Sequence, residues 1–206
     1  MFTGIAEGVG EAAAVEPAGA GRRLTVTPGR VDITDVHTGD SILVNGVCLT
    51  TVTPGSDGRL CFDLSAETLS CTTLGEVCAG DRLNLEKALL PTTRMGGHLV
   101  SGHVDGMGQV LQRRTEGEYE RLRIRVPPGL GRYFAYKGSV CLDGVSLTVN
   151  GVSDEDVDLL LIPHTLQVTN LSRLKAGDRV NVEVDIVARY LERLLQARDS
   201  DHGPVT

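Results

Sequence analysis

Two histidines, His98 and His103, stand in a glycine-rich stretch, Gly96-Gly-His-Leu-Val-Ser-Gly-His-Val-Asp-Gly106. Further along, Ser146 lies in Asp143-Gly-Val-Ser-Leu-Thr148 and Asp185 ends Asn181-Val-Glu-Val-Asp, while Cys48 lies in Asn45-Gly-Val-Cys-Leu-Thr50. An imidazole beside a hydroxyl, with a carboxylate to fix or activate a third group, can remove a proton at neutral pH. On that reading His103 is the base, Ser146 orients or relays its proton, and Asp185 serves the third group. A plainer reading stands beside it, in which His103 caps a strand end and Ser146 bonds its own backbone. Cys48 divides likewise between a small apolar filler and a nucleophile, which would need a lowered thiol pKa. A metal held by His98 and His103 is not expected. Helical zinc pairs sit at i, i+4 with a third ligand, whereas here the glycines oppose a helix and no carboxylate or Cys completes a set.

These residues gain meaning from a repeat. Met1-Phe-Thr-Gly-Ile-Ala-Glu-Gly-Val-Gly10 aligns with Leu99 to Gly108, placing Gly4, Gly8 and Gly10 on Gly102, Gly106 and Gly108. At the same offset Ser41 to Thr50 meets Ser139 to Thr148, and one deletion later Thr68 to Glu86 meets Thr165 to Glu183. That last pair shares Thr68, Leu69, Thr72, Leu74, Ala79, Gly80, Asp81, Arg82, Asn84 and Glu86, in order and without a further gap. Two long copies are not a solenoid array, so each should close on its own core. Where the copies differ, Cys48 faces Ser146, Ile5 faces His103, Asn45 faces Asp143, Glu67 faces His164 and Ala88 faces Asp185. The second copy has gained a histidine, a serine and an aspartate at framework positions, as expected of two similar pockets with different tasks.

Composition narrows the rest. The 206 residues carry a formal charge of −7, with three Phe, four Tyr and no Trp. The chain lacks both the basic footprint that binds phosphates and the stacking platforms of single-strand binders, so no nucleic acid partner is expected. Five cysteines form no CxxC pair and no zinc-type spacing, which suits reduced thiols in a cytoplasm. No apolar run approaches the roughly 18 residues of a membrane span, and no targeting segment is recognised at the start, so no membrane contact is expected.

The elements that must position these side chains read mostly as short strands. Arg23 to Pro28, Ser41 to Val52, Leu60 to Leu64, Arg82 to Glu86 and Arg121 to Val126 are β-branched or alternating runs bounded by Gly, Asp and Pro. Asn45-Gly46 and Asp143-Gly144 between apolar runs signal hairpins, and Ala79-Gly-Asp-Arg and Ala176-Gly-Asp-Arg are matching turns. Only after the second copy does the period become helical, with Val187, Tyr190, Leu191, Leu194 and Leu195 on one face. That stripe either packs back on a barrel or joins copies of itself from other subunits; the second is favoured because two barrels offer no obvious groove. The expected fold is all-β: a tandem duplicated small barrel or sandwich spanning 1–97 and 98–184, a helix at 185–198, and a frayed tail at 199–206.

Met1-Phe-Thr-Gly-Ile, Asn45-Gly-Val-Cys-Leu-Thr50, the Gly96 to Gly106 stretch, Lys137-Gly-Ser, Asp143-Gly-Val-Ser-Leu-Thr148, Ile162-Pro-His-Thr165 and Asn181-Val-Glu-Val-Asp185 closely resemble the riboflavin synthase alpha chain family. The resemblance runs from Met1 to about Leu195 and includes the duplication. It implies six-stranded Greek-key barrels, a C-terminal helix, and a homotrimer whose sites lie between the N-terminal barrel of one subunit and the C-terminal barrel of its neighbour. The implied reaction takes two molecules of 6,7-dimethyl-8-ribityllumazine to riboflavin and 5-amino-6-ribitylaminouracil by transfer of a four-carbon unit, with no separate cofactor. It begins with loss of a proton from the C7 methyl group.

Carried over position by position, His103, Ser146 and Thr148 would line the C-terminal pocket and assist that deprotonation. Lys137, Ile162 and Thr165 would hold the ring and ribityl chain there. Ser41, Cys48, Thr50 and Thr68 would line the N-terminal pocket, with Asp185 reaching it from the partner subunit. Phe2, Asn84 and His98 match positions that support the site, and Gly4, Ile5 and Gly102 join the substrate-binding set. The chain departs from the family pattern at Ala6, where Ile or Val is usual, at Ser70-Cys71, where basic residues are usual, and in Leu90-Pro-Thr-Thr-Arg94. A lumazine- or flavin-binding relative without catalysis, or a synthase for a modified lumazine, is the alternative; a binder would be free to lose Ser146, His103 and Asp185, and all three are present.

Overall fold

Alternation of apolar and polar residues governs the architecture, since a strand whose every second side chain is apolar must bury one face. A computed structural model describes residues 1–54 and 58–201. The first copy forms β1 (Gly8–Ala18), β2 (Gly21–Thr27), β3 (Ser41–Val44), β4 (Val47–Pro54), β5 (Leu60–Leu64) and β6 (Arg82–Lys87), with a short helix α1 (Ala66–Cys71) before β6. The second forms β7 (Gly106–Glu116), β8 (Tyr119–Arg125), β9 (Ser139–Leu142), β10 (Val145–Ser153), β11 (Asp156–Leu161) and β12 (Arg179–Val184), with α2 (Pro163–Val168) in the matching place. Each set closes into an antiparallel barrel of one Greek-key order, β1-β2-β5-β4-β3-β6 and β7-β8-β11-β10-β9-β12. The expected fold class is the observed one. Even the irregularities repeat, with bulges at Ala12/Ala14 and Val110/Gln112 and again at Thr51/Thr53 and Val149/Gly151.

Ile42, Val44, Val47 and Leu49 point into the first core, and Val140, Leu142, Val145 and Leu147 into the second. The residues between them therefore face outward. Both hairpin signals hold: Asn45 and Asp143 take φ of 47° and 45° ahead of glycines at 81° and 79°, as a tight primed turn requires. The two short helices were not foreseen, being too brief to show a period. Ser65 starts α1 by accepting from the Thr68 N–H at 3.1 Å, and Pro163 opens α2.

Two straps lie between the barrels, the start of the chain and the linker that carries His98 and His103. They pair through Phe2 and Val100, equivalent residues in the two copies, with Phe2 N to Val100 O at 2.8 Å and the reciprocal bond at 3.0 Å. Phe2, Val100, Leu43 and Cys141 form a small third core there, so a pseudo-twofold axis runs through the straps.

The last helix, α3, spans Ile186–Asp201. It continues past Arg198, where the sequence pattern ends, and residues 202–206 lie outside those described. Its polar side is tied to the C-terminal barrel: Arg132 Nε meets Glu192 at 2.7 Å, Tyr133 also bonds Glu192, and Arg189 pairs with Asp105. Its apolar stripe stays open, with Val187, Tyr190, Leu191, Leu194 and Leu195 exposed by 54 to 68%. No helix among the described residues is long and apolar enough to cross a membrane.

Candidate active site

Because the inward positions of β3, β4, β9 and β10 are filled by core residues, Ser41, Cys48 and Thr50 lie on the outer face of one barrel and Ser146 and Thr148 on that of the other. Ser41 pairs with Thr50, and Ser139 with Thr148, at matching registers. Cys48 and Ser146 are half-buried, while Thr50 and Thr148 are exposed. The straps cover these faces crosswise. The Gly4 carbonyl accepts from Ser146 N at 2.7 Å, and the Gly102 carbonyl accepts from Cys48 N at 2.9 Å. Gly4 and Gly102 have φ of 73° and 80°, and a Cβ on either would stand under 3 Å from the very residue it serves. Only glycine permits that backbone at that separation.

The histidine on Ser146 is His98. Its Nδ1 lies 2.7 Å from Ser146 Oγ, and the strap holds it by its own N–H, bonded to Thr3 O at 3.1 Å. Burial pushes the imidazole pKa below its ordinary 6.5, against a smaller opposing pull from the Asp185 charge. His98 is therefore neutral at pH 7 and can accept the Ser146 proton at Nδ1. Its Nε2 is buried with no hydrogen-bond partner, so a proton taken on one face of the ring is not shared with the protein on the other.

His103 lies elsewhere. It follows Gly102, so its strap runs over Cys48 on the N-terminal barrel, and its side chain is exposed. The expected pairing of His103 with Ser146 is thus replaced by His98 with Ser146. The linker crosses between the barrels, laying His98 on Ser146 of the C-terminal barrel and Gly102 on Cys48 of the N-terminal barrel, so matching repeat positions alone do not tell which histidine Ser146 meets.

The remaining residues fall into three groups. Asp185 closes β12 and caps α3, its Oδ1 accepting from Val187 N at 2.9 Å. Thr68 and Thr165 sit in α1 and α2, Ile162 is exposed just before α2, and Lys137 holds a φ of 68° with its N–H on Val149 O at 2.8 Å. Phe2 and Asn84 are structural instead. Phe2 is fully buried, and the Asn84 carboxamide is used up within the chain, donating to Asp143 O and Asn170 Oδ1 at 2.9 and 2.8 Å and accepting from Asn170 N at 2.8 Å.

A cavity of about 710 Å³ opens beside Ser41, with Thr3, Ile5, Ile42, Ala88 and Leu90 among its walls, a volume suited to a small heterocycle. In the second copy, α3 and its ion pair to Asp105, the counterpart of Glu7, cover the equivalent place. No group of three or more His, Cys, Asp or Glu able to hold a metal ion occurs among the described residues.

The model of the family described as the lumazine binding domain matches residues 3–88 and again 101–185. A riboflavin synthase of Photobacterium phosphoreum is 48% identical over 95% of this chain and 89% of its own. The chain belongs to the riboflavin synthase family. Further members include that of Mycobacterium bovis, 45% identical over 96% of this chain and 99% of its own, and that of Bacillus subtilis, 38% identical over 95% and 90%. Its curated relatives are enzymes, transferases of riboflavin formation. A solved structure of LumP complexed with riboflavin superposes with a TM-score of 0.81 at 27% identity, covering 89% of this chain and 99% of that one. LumP has also been solved with 6,7-dimethyl-8-(1'-D-ribityl) lumazine, again over 89% of this chain and 99% of that one.

Proposed function

We propose that the chain is a riboflavin-forming enzyme that converts two molecules of 6,7-dimethyl-8-ribityllumazine into riboflavin and 5-amino-6-ribitylaminouracil, with no separate cofactor. The observation that carries this reading is the chemical difference between two otherwise equivalent outer faces. One presents Ser146 on a neutral, buried imidazole, and the other presents Cys48 at the same framework position. A pair of faces that bind one molecule alike but differ in reactive groups suits a reaction in which one lumazine donates carbons and its twin accepts them.

On the donor side, Ser146 and His98 take the proton from the C7 methyl group, leaving a carbanion delocalised into the pteridine. That carbon attacks the second lumazine at the Cys48 face, and the four-carbon unit leaves the donor as the ring of riboflavin closes. Holding two reactants in one orientation supplies much of the rate. Within one subunit the two faces are backed by the same pair of straps, so the facing partner for each is proposed to come from a neighbouring subunit in a homotrimer joined through α3. There Asp185 of one chain would approach Ser41 and Cys48 of the next. The proposed compartment is the cytoplasm, where the five unpaired thiols stay reduced.

The likeness to LumP supports a second reading, a lumazine- or flavin-binding protein without turnover. Incubating purified protein with 6,7-dimethyl-8-ribityllumazine alone separates the two. One riboflavin released per two lumazines, lost in Ser146→Ala, is the expected result. Tight binding with no riboflavin would overturn the enzyme reading.

A further inference from the structure

Each strap is fastened by a buried carboxylate that the reaction itself leaves unused. Glu86 lies one residue before the end of β6 of the N-terminal barrel with its side chain turned outward; its Oε1 accepts from Thr3 N and Thr3 Oγ1, both at 2.7 Å, and its Oε2 from Gly4 N at 2.9 Å. Glu183 repeats this on β12 of the C-terminal barrel, with Ser101 N at 2.7 Å and Ser101 Oγ at 2.6 Å on Oε1, and Gly102 N at 2.9 Å on Oε2. Both carboxylates are about 4% exposed. All three groups facing each one are donors, and charge-assisted bonds of this kind fix geometry more firmly than neutral ones.

What each strap then touches lies on the other barrel. The strap bound by Glu86 presents the Gly4 carbonyl to Ser146 N and the Thr3 carbonyl to His98 N. The strap bound by Glu183 presents the Gly102 carbonyl to Cys48 N and carries His103. We infer that Glu86 and Glu183 are crossed positioning residues: the N-terminal barrel's carboxylate sets the Ser146–His98 face of the C-terminal barrel, and the C-terminal barrel's carboxylate sets the Cys48 face of the N-terminal barrel. A buried acid used only for stability has no reason to affect the opposite barrel's reactive residue alone. This inference rests on the proposed reaction for its catalytic consequence and on hydrogen bonds for its structural one.

Glu86→Gln and Glu183→Gln test it at constant size. A glutamine still accepts at Oε1, but its amide NH2 meets the Gly4 or Gly102 N–H donor to donor, so the strap is released at the glycine. Amide hydrogen exchange resolved to Ser146 and Cys48 reads the crossed bonds directly. Glu86→Gln is expected to speed exchange at Ser146 about tenfold with Cys48 unchanged, and Glu183→Gln the reverse. With 6,7-dimethyl-8-ribityllumazine, Glu86→Gln should slow deuterium uptake into the C7 methyl and riboflavin release together. Glu183→Gln should slow riboflavin release while methyl uptake continues. Thr3→Val and Ser101→Ala, which each take one of the three donors from the carboxylate along with a longer bond accepted from Ile5 N or His103 N, give the same crossed pattern at smaller size should a glutamine variant fold poorly. Exchange that quickens in the carboxylate's own barrel, at both amides together, or at neither, would overturn the inference. A wild-type protein that makes no riboflavin while the crossed amide pattern holds would overturn the reaction and leave the brace standing.

Discussion

At the scale of single residues, the site turns on which histidine reaches Ser146. Types and spacing pointed to proton transfer, and the structure supports that chemistry while exchanging His103 for His98. No spacing rule could have made the exchange, because it depends on straps that cross between barrels. A usable signal was present all the same: Glu86 and Glu183 are identical in both copies, and a carboxylate kept at a barrel-strand position needs donors to satisfy it when buried. The neutral His98 yields a prediction. His98→Asn keeps an acceptor near the Nδ1 position for Ser146 but removes the base, so kcat should fall about a hundredfold with KM nearly unchanged. The sign of the pH effect follows from burial. The folded imidazole holds its proton less tightly than the unfolded one, so its contribution to stability is full above pH 6.5 and is lost as pH falls below that value. That acid-side loss of stability should be absent from the urea midpoints of His98→Asn. A variant with wild-type kcat would remove His98 from the proton path.

At the scale of elements, the strands and the last helix were legible because each has enough residues to show its period, and the hairpin turns because Asn-Gly and Asp-Gly admit few alternatives. The helices α1 and α2 were not, since six residues make less than two turns. For α3 the pattern gave the stripe but not what covers it, a question that intrachain packing leaves open: the helix is held by Arg189 and Glu192 on its polar side, and its leucines face outward. This reverses the usual arrangement of a surface helix and is what a subunit interface requires. Leu191→Glu with Leu194→Glu places charge on side chains that are 56 and 68% exposed, so each chain should fold normally. If α3 joins the proposed trimer, sedimentation at micromolar concentration should then give monomers in its place, and riboflavin formation should drop at least tenfold as the proposed sites between subunits come apart. Monomers with undiminished turnover would place the whole site within one chain.

At the scale of the molecule, the duplication was the most legible feature, and the seam between its copies the least. The hairpin tips meet across the pseudo-twofold axis so closely that a Cβ on Gly46 would lie 2.7 Å from Gly144 N. Around them the side chains interlock. Asn45 Oδ1 accepts from Asn84 N at 2.9 Å, Asp143 Oδ1 from Asn181 N at 2.8 Å, and Asn181 Nδ2 donates to Asn45 O at 2.8 Å. The copies differ here at Asn45 against Asp143 and at Thr73 against Asn170. Burial raises the Asp143 pKa from 3.8 to about 7, and the Asn181 N–H offsets only part of that. A carboxyl whose folded pKa is raised keeps a proton that the unfolded chain gives up, so stability is full below about pH 3.8 and declines as pH rises toward 7. Asp143→Asn installs the group that the other copy already uses in the same left-handed turn, where Asn45 has a φ of 47°. It retains an acceptor for Asn181 N and removes the titration. The variant should come close to the wild type near pH 4 and exceed it at pH 8 by on the order of 4 kcal/mol in urea unfolding, flattening the dependence of stability on pH. Parallel pH profiles for variant and wild type would mean that Asp143 is charged in the folded protein at neutral pH, with the seam built around that charge.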